Sequence, residues 1–411
     1  MQTGSTAQDL SAHLRSLINS DVGFPGEWFT NEHFFDIERE RLLKRSWLCI
    51  GLSSDVPKHG CIHPVDTLNV PLVMVRDSST LRVFHNVCSH RGSRLVNEPC
   101  SGRVRLVCPY HGWTYSLDGA LKKSPHVAGA SIHEHSGWNT QLLGLVPVRS
   151  AEWGGHVFVD LSSQAETFES WIEPVAERLA LPPNSRIARD AQLAQAVDVA
   201  TNWKIIVENF VESYHLPWVH QELNKINPME RHYQILGGHR YLGQGGDNYS
   251  GQQMYGSNLP TFYPEADRSR YEAIYVFPNL ILGPFADFMF SIIIQPQSAG
   301  KSRERIEFFF ASDGALEPEY AVSREQAAKF ILDVNREDVA IVETVQRGRT
   351  SPVFNGGHFS LPQEATSLQF HKMIAARLLA EPGQSVDEVL RLPTQDIRHR
   401  TIATGDRGSN T

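Results

Sequence analysis

Several things are scarce in this chain, and each scarcity removes a class of protein. There are five cysteines in 411 residues, and none follows Cys108. An odd number, behind an N-terminus with no basic stretch leading into an apolar one, argues against a secreted disulfide framework. No apolar run approaches the roughly 18 residues that a membrane span requires. Lys and Arg form no cluster, and 46 acidic against 38 basic residues give a net charge of −8, a balance that argues against a nucleic-acid surface. The expectation is a cytoplasmic protein with no membrane and no nucleic-acid partner. A dinucleotide loop is missing too: Gly243-Gln244-Gly245-Gly246 has neither the spacing nor the strand–helix context.

With 41% hydrophobic and 20% charged residues, the composition is that of an ordinary globular chain, long enough for two or three domains. Residues 1–45 read as helical, with an amphipathic pattern over Phe34–Leu43. From 46 to 161 the texture is β-rich: Val70–Val75, Leu81–Phe84 and a last strand at Gly154–Val159. After a polar stretch at Pro182–Ser185, helices are predicted over Asn202–His215 and Pro318–Gln346. Buried strands are expected at Ala273–Leu282 and Phe288–Ile294, and from 381 a surface arm with one apolar patch, Val389–Leu392. The class is α+β.

All the cysteines fall in the β-rich segment, which points to a metal module there. Cys88-Ser89-His90-Arg91-Gly92 and Cys108-Pro109-Tyr110-His111-Gly112-Trp113 give C-x-H-x17-C-x2-H. Zinc modules with this donor set usually pair Cys with Cys and His with His, whereas each loop here supplies one of each. That suits a two-iron cluster in which both cysteines hold one iron and both histidines the other, with zinc as the alternative. Cys49, Cys61 and Cys100 fit neither loop and read as incidental thiols.

A second constellation is Glu212-Ser213-Tyr214-His215-Leu216-Pro217-Trp218-Val219-His220. Glu212 and His215, three apart, are expected on one helix face. Pro217 is expected to end that helix, so that His220 comes off a bend and turns back towards His215. Two imidazoles and one carboxylate make the facial triad of an oxygen-activating ferrous site. Periodicity supplies the carboxylate: Ile331, Val334, Ile341, Val342 and Val345 form a stripe with Asp338 at its centre, whereas Asp333 and Glu337 point away. A salt-bridged core aspartate is the alternative for Asp338.

Together these segments resemble the α subunits of Rieske non-haem iron oxygenases. The resemblance implies that Cys88, His90, Cys108 and His111 hold a [2Fe–2S] cluster and that His215, His220 and Asp338 hold a mononuclear Fe(II). It implies an N-terminal β-rich Rieske domain (46–161) inserted in a helix-grip catalytic domain (162–380) with a curved antiparallel sheet. Residues 1–45 would pack on the catalytic domain, and 381–411 would form the arm. It further implies a head-to-tail homotrimer, with or without a β subunit, in which Glu212 joins the partner subunit's His111 to His215. Electrons would come from NAD(P)H through a separate ferredoxin and/or flavin reductase.

Ring-hydroxylating dioxygenases usually carry Asp at the bridge, one residue further from the preceding Asn. The run Asn209-Phe210-Val211-Glu212 resembles instead the members acting on carnitine, choline and glycine betaine, and Asn209 is given no catalytic role. The expected activity is hydroxylation beside the nitrogen of a quaternary or tertiary amine, with Trp218, Tyr275, Phe277, Phe285, Phe288 and Phe290 as candidates for a cation–π cage. The alternatives are ring hydroxylation of an aromatic acid or hydrocarbon, mono- or dioxygenation, and a Rieske electron carrier or zinc protein without oxygenase activity.

Overall fold

Short β-branched runs broken by Gly, Pro, Asp and Ser build the first part of the chain as sheet. Strands β1 (Leu48–Leu52), β2 (Ile62–Thr67), β3 (Val70–Asp77) and β4 (Thr80–His85) are followed by the short β5 (Arg105–Val107), β6 (Thr114–Ser116) and β7 (Leu121–Lys123), then by β8 (Pro147–Trp153) and β9 (His156–Asp160). The longer six pair in the order β1-β9-β8-β4-β3-β2, and the short three form their own sheet. Val73, Val75, Phe84, Leu106 and Trp113 make a small core of their own. One cysteine loop leaves β4 and the other joins β5 to β6. The computed structural model describes residues 7–133, 135, 137–181, 186–247, 258–262, 270–311, 314–381 and 383–398. The polar stretch at 182–185 and the arm beyond 398 lie outside the described residues.

A second antiparallel sheet has nine strands among the described residues: β10 (Ile187–Arg189), β11 (Gln195–Val199), β12 (His232–Gly237), β13 (Tyr241–Asp247), β14 (Arg270–Val276), β15 (Leu280–Pro284), β16 (Phe288–Ser298), β17 (Lys301–Ala311) and β18 (Thr394–Arg398). Phe288–Ile294 is buried at every position, as an apolar run inside a covered sheet requires. The run expected as one strand over 273–282 is instead a hairpin, β14 and β15 turning at Phe277-Pro278-Asn279 with a cis peptide before Pro278. Proline has no N–H for a central ladder, so the strand breaks there. Asn279 uses that turn to reach the first sheet, accepting from the Cys49 N–H and donating to its carbonyl, both at 2.9 Å. Arg305 of β17 adds a two-pronged ion pair to Asp55.

Helices α1 (Ala7–Ile18), α2 (Glu27–Thr30) and α3 (Glu32–Arg41) precede the first sheet, and α4 (Phe168–Leu179) follows it. Phe24, Trp28, Phe29 and Phe35 from this leading segment are buried. The segment after 381 is more than a loose arm, because β18 pairs with β12 at the sheet edge, while Val389 and Leu392 pack on the main core. Among the described residues no helix is long and apolar enough to cross a membrane.

Candidate metal centres

The two cysteine loops are built alike. The Cys88 N–H donates to Ser93 O (2.8 Å) and the Cys108 N–H to Trp113 O (2.7 Å), while Gly92 and Gly112 each donate back to the cysteine carbonyl at 3.0 Å. Both glycines sit at φ near +70°, which closes these loops and which side chains rarely adopt. Polar donors converge on the sulfurs. Cys88 Sγ receives the His90 N–H and lies 3.1 Å from the Tyr115 hydroxyl. The backbone N–H groups of Tyr110 and His111 and the Ser93 side chain lie beside Cys108 Sγ. Such donors suit thiolates. Burial still raises the Cys88 thiol, against burial the donors hold the Cys108 thiol below its usual value, and burial pushes the Cys49 thiol up to about 12.

The His90 and His111 rings meet edge to face at 4.7 Å, and His90 stacks on Trp113. His90 Nδ1 is buried with no hydrogen-bond partner among the described residues. An orphaned imidazole nitrogen is costly unless something binds it, so this donor set fits a [2Fe–2S] cluster. His111 lies at the surface beside the exposed ring of Tyr110.

The second constellation departs from its expected local structure. Helix α5 (Trp203–Phe210), capped by the Asn202 side chain, stops at Phe210, so Glu212 and His215 do not share a helix. Pro217 opens a new helix, α6 (Leu216–Val219), rather than ending the old one. In the first turn its missing N–H costs nothing. The Glu212 carboxylate accepts the N–H groups of Tyr214 and His215 and so seeds the turn. His215 and His220 are the two residues flanking α6, with α7 (Gln221–Ile226) beyond.

The two imidazoles are held the same way. His215 Nδ1 lies 2.5 Å from Glu212 Oε1, and His220 Nδ1 lies 2.7 Å from Glu337 Oε2. Their Nε2 atoms are 3.6 and 3.0 Å from Asp338 Oδ1, on the long helix α8 (Ala321–Gly348). These three ligand atoms lie within 4.8 Å of one another, the one such group among the described residues. A carboxylate behind each ring fixes the tautomer and leaves Nε2 facing the centre. The set fits Fe(II) in a two-His, one-carboxylate site. Burial disfavours the His220 imidazolium, but Asp338 and Glu337 outweigh it and hold its pKa above the usual value.

One further reading of the sequence needs correction. Glu337 does not point away, since its length brings it back to His220. Asn209, left without a role, donates to Asp338 Oδ1 at 2.6 Å.

A cavity of about 110 Å³ opens on His215, His220 and Asp338 and is walled by Phe210, Tyr271, Phe285, Phe290 and Phe330. Of the aromatics expected there, Phe285 and Phe290 line it. Trp218 is exposed, and Tyr275, Phe277 and Phe288 are core residues. Two glycines make room for the walls: a Cβ on Gly246 would come within 2.5 Å of the Tyr271 ring, and one on Gly283 within 2.0 Å of Phe290. The glycine-rich run 243–246 is therefore strand, thinned to admit tyrosine rings. Asn227 and Gln244 add neutral polarity, and no Lys or Arg lines the cavity among the described residues.

Comparison with known proteins agrees with this geometry. The family model for the Rieske [2Fe-2S] domain matches residues 46–136, and that for the ring hydroxylating alpha subunit (catalytic domain) matches 187–380. The chain is 28% identical over 361 residues to choline monooxygenase, chloroplastic, of Spinacia oleracea, covering 84% of this chain and 76% of that protein. It is 26% identical over 363 residues to the carnitine monooxygenase oxygenase subunit of Acinetobacter pittii, covering 86% and 93%. The fold matches the crystal structure of the quaternary ammonium Rieske monooxygenase CntA with L-carnitine, at a TM-score of 0.72 and 22% identity over 92% of this chain and 100% of that one. Two metal-centred domains in this order and with these donor sets identify the chain as a member of the Rieske non-haem iron oxygenases, the oxidoreductases that carry a [2Fe–2S] cluster and a catalytic iron in one α subunit.

Proposed function

We propose that this chain is the terminal oxygenase of a monooxygenase that hydroxylates a quaternary or tertiary amine beside its nitrogen and releases an alkyl group as aldehyde. The observation that carries this reading is the cavity: aromatic walls beside the metal-binding triad, with the amides of Asn227 and Gln244 and no Lys or Arg among the described residues. A quaternary ammonium cannot donate a hydrogen bond, so ring faces are its natural partners, each contributing about 0.5–2 kcal/mol. An aromatic acid would call for a cationic side chain. The choline, carnitine and glycine betaine monooxygenases among the relatives add weight to the amine.

In this reading Cys88, His90, Cys108 and His111 hold the cluster, and His215, His220 and Asp338 hold the iron. The cluster, when bound, passes on single electrons from a separate ferredoxin or flavin reductase, and the ferrous iron, when bound, activates O2. Glu212 orients His215 through Nδ1 and, in a head-to-tail homotrimer, would also accept from the partner subunit's His111. The surface position of His111 supports such a junction. Glu337 orients His220, and Asn209 steadies Asp338 by donating to its Oδ1. Phe210, Tyr271, Phe285 and Phe290 would exclude water and seat the cation. A cytoplasmic setting belongs to the same reading.

The test is reduction of anaerobically purified protein, followed by O2 with a panel of methylated amines and aromatic acids. Aldehyde release with amines and no product from the acids is expected. Ring-hydroxylated acids with silent amines would replace this substrate reading.

A further inference from the structure

A second cavity, of about 430 Å³, shares no lining residue with the one beside the metal triad. Segments distant in the chain meet around it. Arg45 comes from the end of the leading helices, Gln164–Glu166 from the stretch after β9, and His239 and Arg240 from the turn between β12 and β13. Arg377 comes from the last turn of α9 (Leu361–Leu379), and residues 383–387 from the arm. An adjoining space of about 100 Å³ is lined by Arg45, Gln164 and Arg377 as well, and adds Arg41. The larger volume is within the range of small-molecule sites, about 300–1,000 Å³.

Positive charge here lacks its complement. Arg240 is paired with Glu166 at 2.8 Å. Asp387 is 58% exposed and lies 3.2 Å from His239 Nε2, and Glu381, on the smaller space, is exposed. Arg41, Arg45 and Arg377 make no ion pair among the described residues. Arg41 donates to the Leu378 carbonyl at 2.9 Å, whereas the Arg45 side chain makes no hydrogen bond among the described residues. Arg377 donates to the His239 carbonyl at 2.6 Å and lies over the Phe277 ring at 4.2 Å, but its Nε is buried with no hydrogen-bond partner. A carbonyl and a ring face offer partial charge only, and a guanidinium left so in the interior is costly. Burial and the nearby Arg240 pull the Arg377 pKa down to about 10, with Glu166 and Asp387 opposing.

We propose that this cavity binds a small organic dianion, held by Arg45 and Arg377 through carboxylate or phosphate oxygens. Two unpaired guanidiniums in one cavity call for two negative charges, and their forked N–H groups match the paired oxygens of either group. The buried rings of Trp47 and Trp171 supply an apolar wall for the carbon frame, and Ser46, Gln164 and Ser385 supply further donors. The bound anion ties the arm and the leading segment to the turn after β12 and to α9. The site goes beyond the monooxygenase reading and stands whichever substrate the triad oxidises.

The test is calorimetric titration of the full, metal-loaded chain with succinate and with glycerol 3-phosphate at constant ionic strength, with succinamide as the uncharged control. One site per chain is expected for at least one anion, and the one that binds says whether the site takes carboxylate or phosphate. The same anion should raise the melting temperature. Arg45→Gln and Arg377→Met should each weaken binding about 10- to 100-fold and shrink that rise. Where Arg377→Met fails to fold, Arg45→Gln decides alone, since the Arg45 side chain holds no hydrogen bond that folding depends on among the described residues. Binding that Arg45→Gln keeps in full, binding that succinamide matches, or no binding of either anion overturns the site. None of these results touches the monooxygenase reading, which the amine panel tests separately.

Discussion

Replacing Glu337 by Leu probes the metal site at a position that no motif marks. His220 is 2% exposed and its Nδ1 depends on Glu337 Oε2 at 2.7 Å, but that carboxylate is itself 51% exposed. A hydrogen bond to a charged group is worth about 1.5–3 kcal/mol, and solvent screening of a half-exposed partner brings the figure towards about 1.5 kcal/mol. That corresponds to about tenfold in metal affinity, the low end of the range for carboxylates behind a ligating histidine. Glu212 supports His215 at 2.5 Å and is only 10% exposed, so Glu212→Leu should cost more, towards about 100-fold. The assay is competition for Co(II) between a calibrated chelator and metal-stripped wild type or variant. Affinity unchanged in Glu337→Leu, or a larger loss there than in Glu212→Leu, would refute the view that burial sets the strength of each support.

Further outcomes follow from the same geometry. Lys204 and Glu38 form an ion pair at 2.7 Å with both side chains fully buried, so Glu38→Ala strands an ammonium and should cost about 3–5 kcal/mol in chemical denaturation. A Glu38→Leu/Lys204→Met double variant should recover most of that loss. Burial opposes ionisation of Glu208, but Arg349 and His371 outweigh it and hold its carboxyl at about 2. Its folded value is below its unfolded one, so its stabilisation is full above about pH 5 and is lost as pH falls towards 2. Acid unfolding should therefore be less steep over that window in Glu208→Gln, and identical slopes would count against the network. Gly246→Ala should push the Tyr271 ring from its place, raising KM for the amine while leaving the cluster absorbance unchanged. Cys108→Ser or His90→Ala should bleach that absorbance while mononuclear iron stays bound.

Much of this was readable from residue order, for definite reasons. The proposed cluster ligands lie close in the chain, Cys88 with His90 and Cys108 with His111, on tight loops that spacing and glycine disclose. Asp338 was legible because a carboxylate on a buried stripe is an anomaly that periodicity exposes. Glu337 was not, because face arithmetic places a Cα and ignores the reach of a long side chain. The break after Phe210 was hidden too: Trp203–Phe210 continues smoothly in propensity, and the stop depends on Glu212 capping the next turn. Pro217 is ambiguous by nature, since proline ends one helix as readily as it opens another. Most of the aromatics expected in the pocket lie elsewhere, because Tyr275 is in β14 and Phe277 in the turn after it, and their directions cannot be known before the hairpin at Pro278 is seen. The glycines beneath Tyr271 and Phe290 gain meaning only from their neighbours across the sheet.

The account stands on two separate iron centres with separate ligand sets in one chain. Its most direct test is to count iron and acid-labile sulfide in wild type, Asp338→Ala and His111→Ala purified without oxygen. The wild type should carry the two irons and two sulfides of a cluster plus one further iron. Asp338→Ala should lose that further iron and keep its sulfide, and His111→Ala should lose the sulfide. Zinc in place of iron and sulfide, or an iron count that Asp338→Ala leaves unchanged, would contradict it.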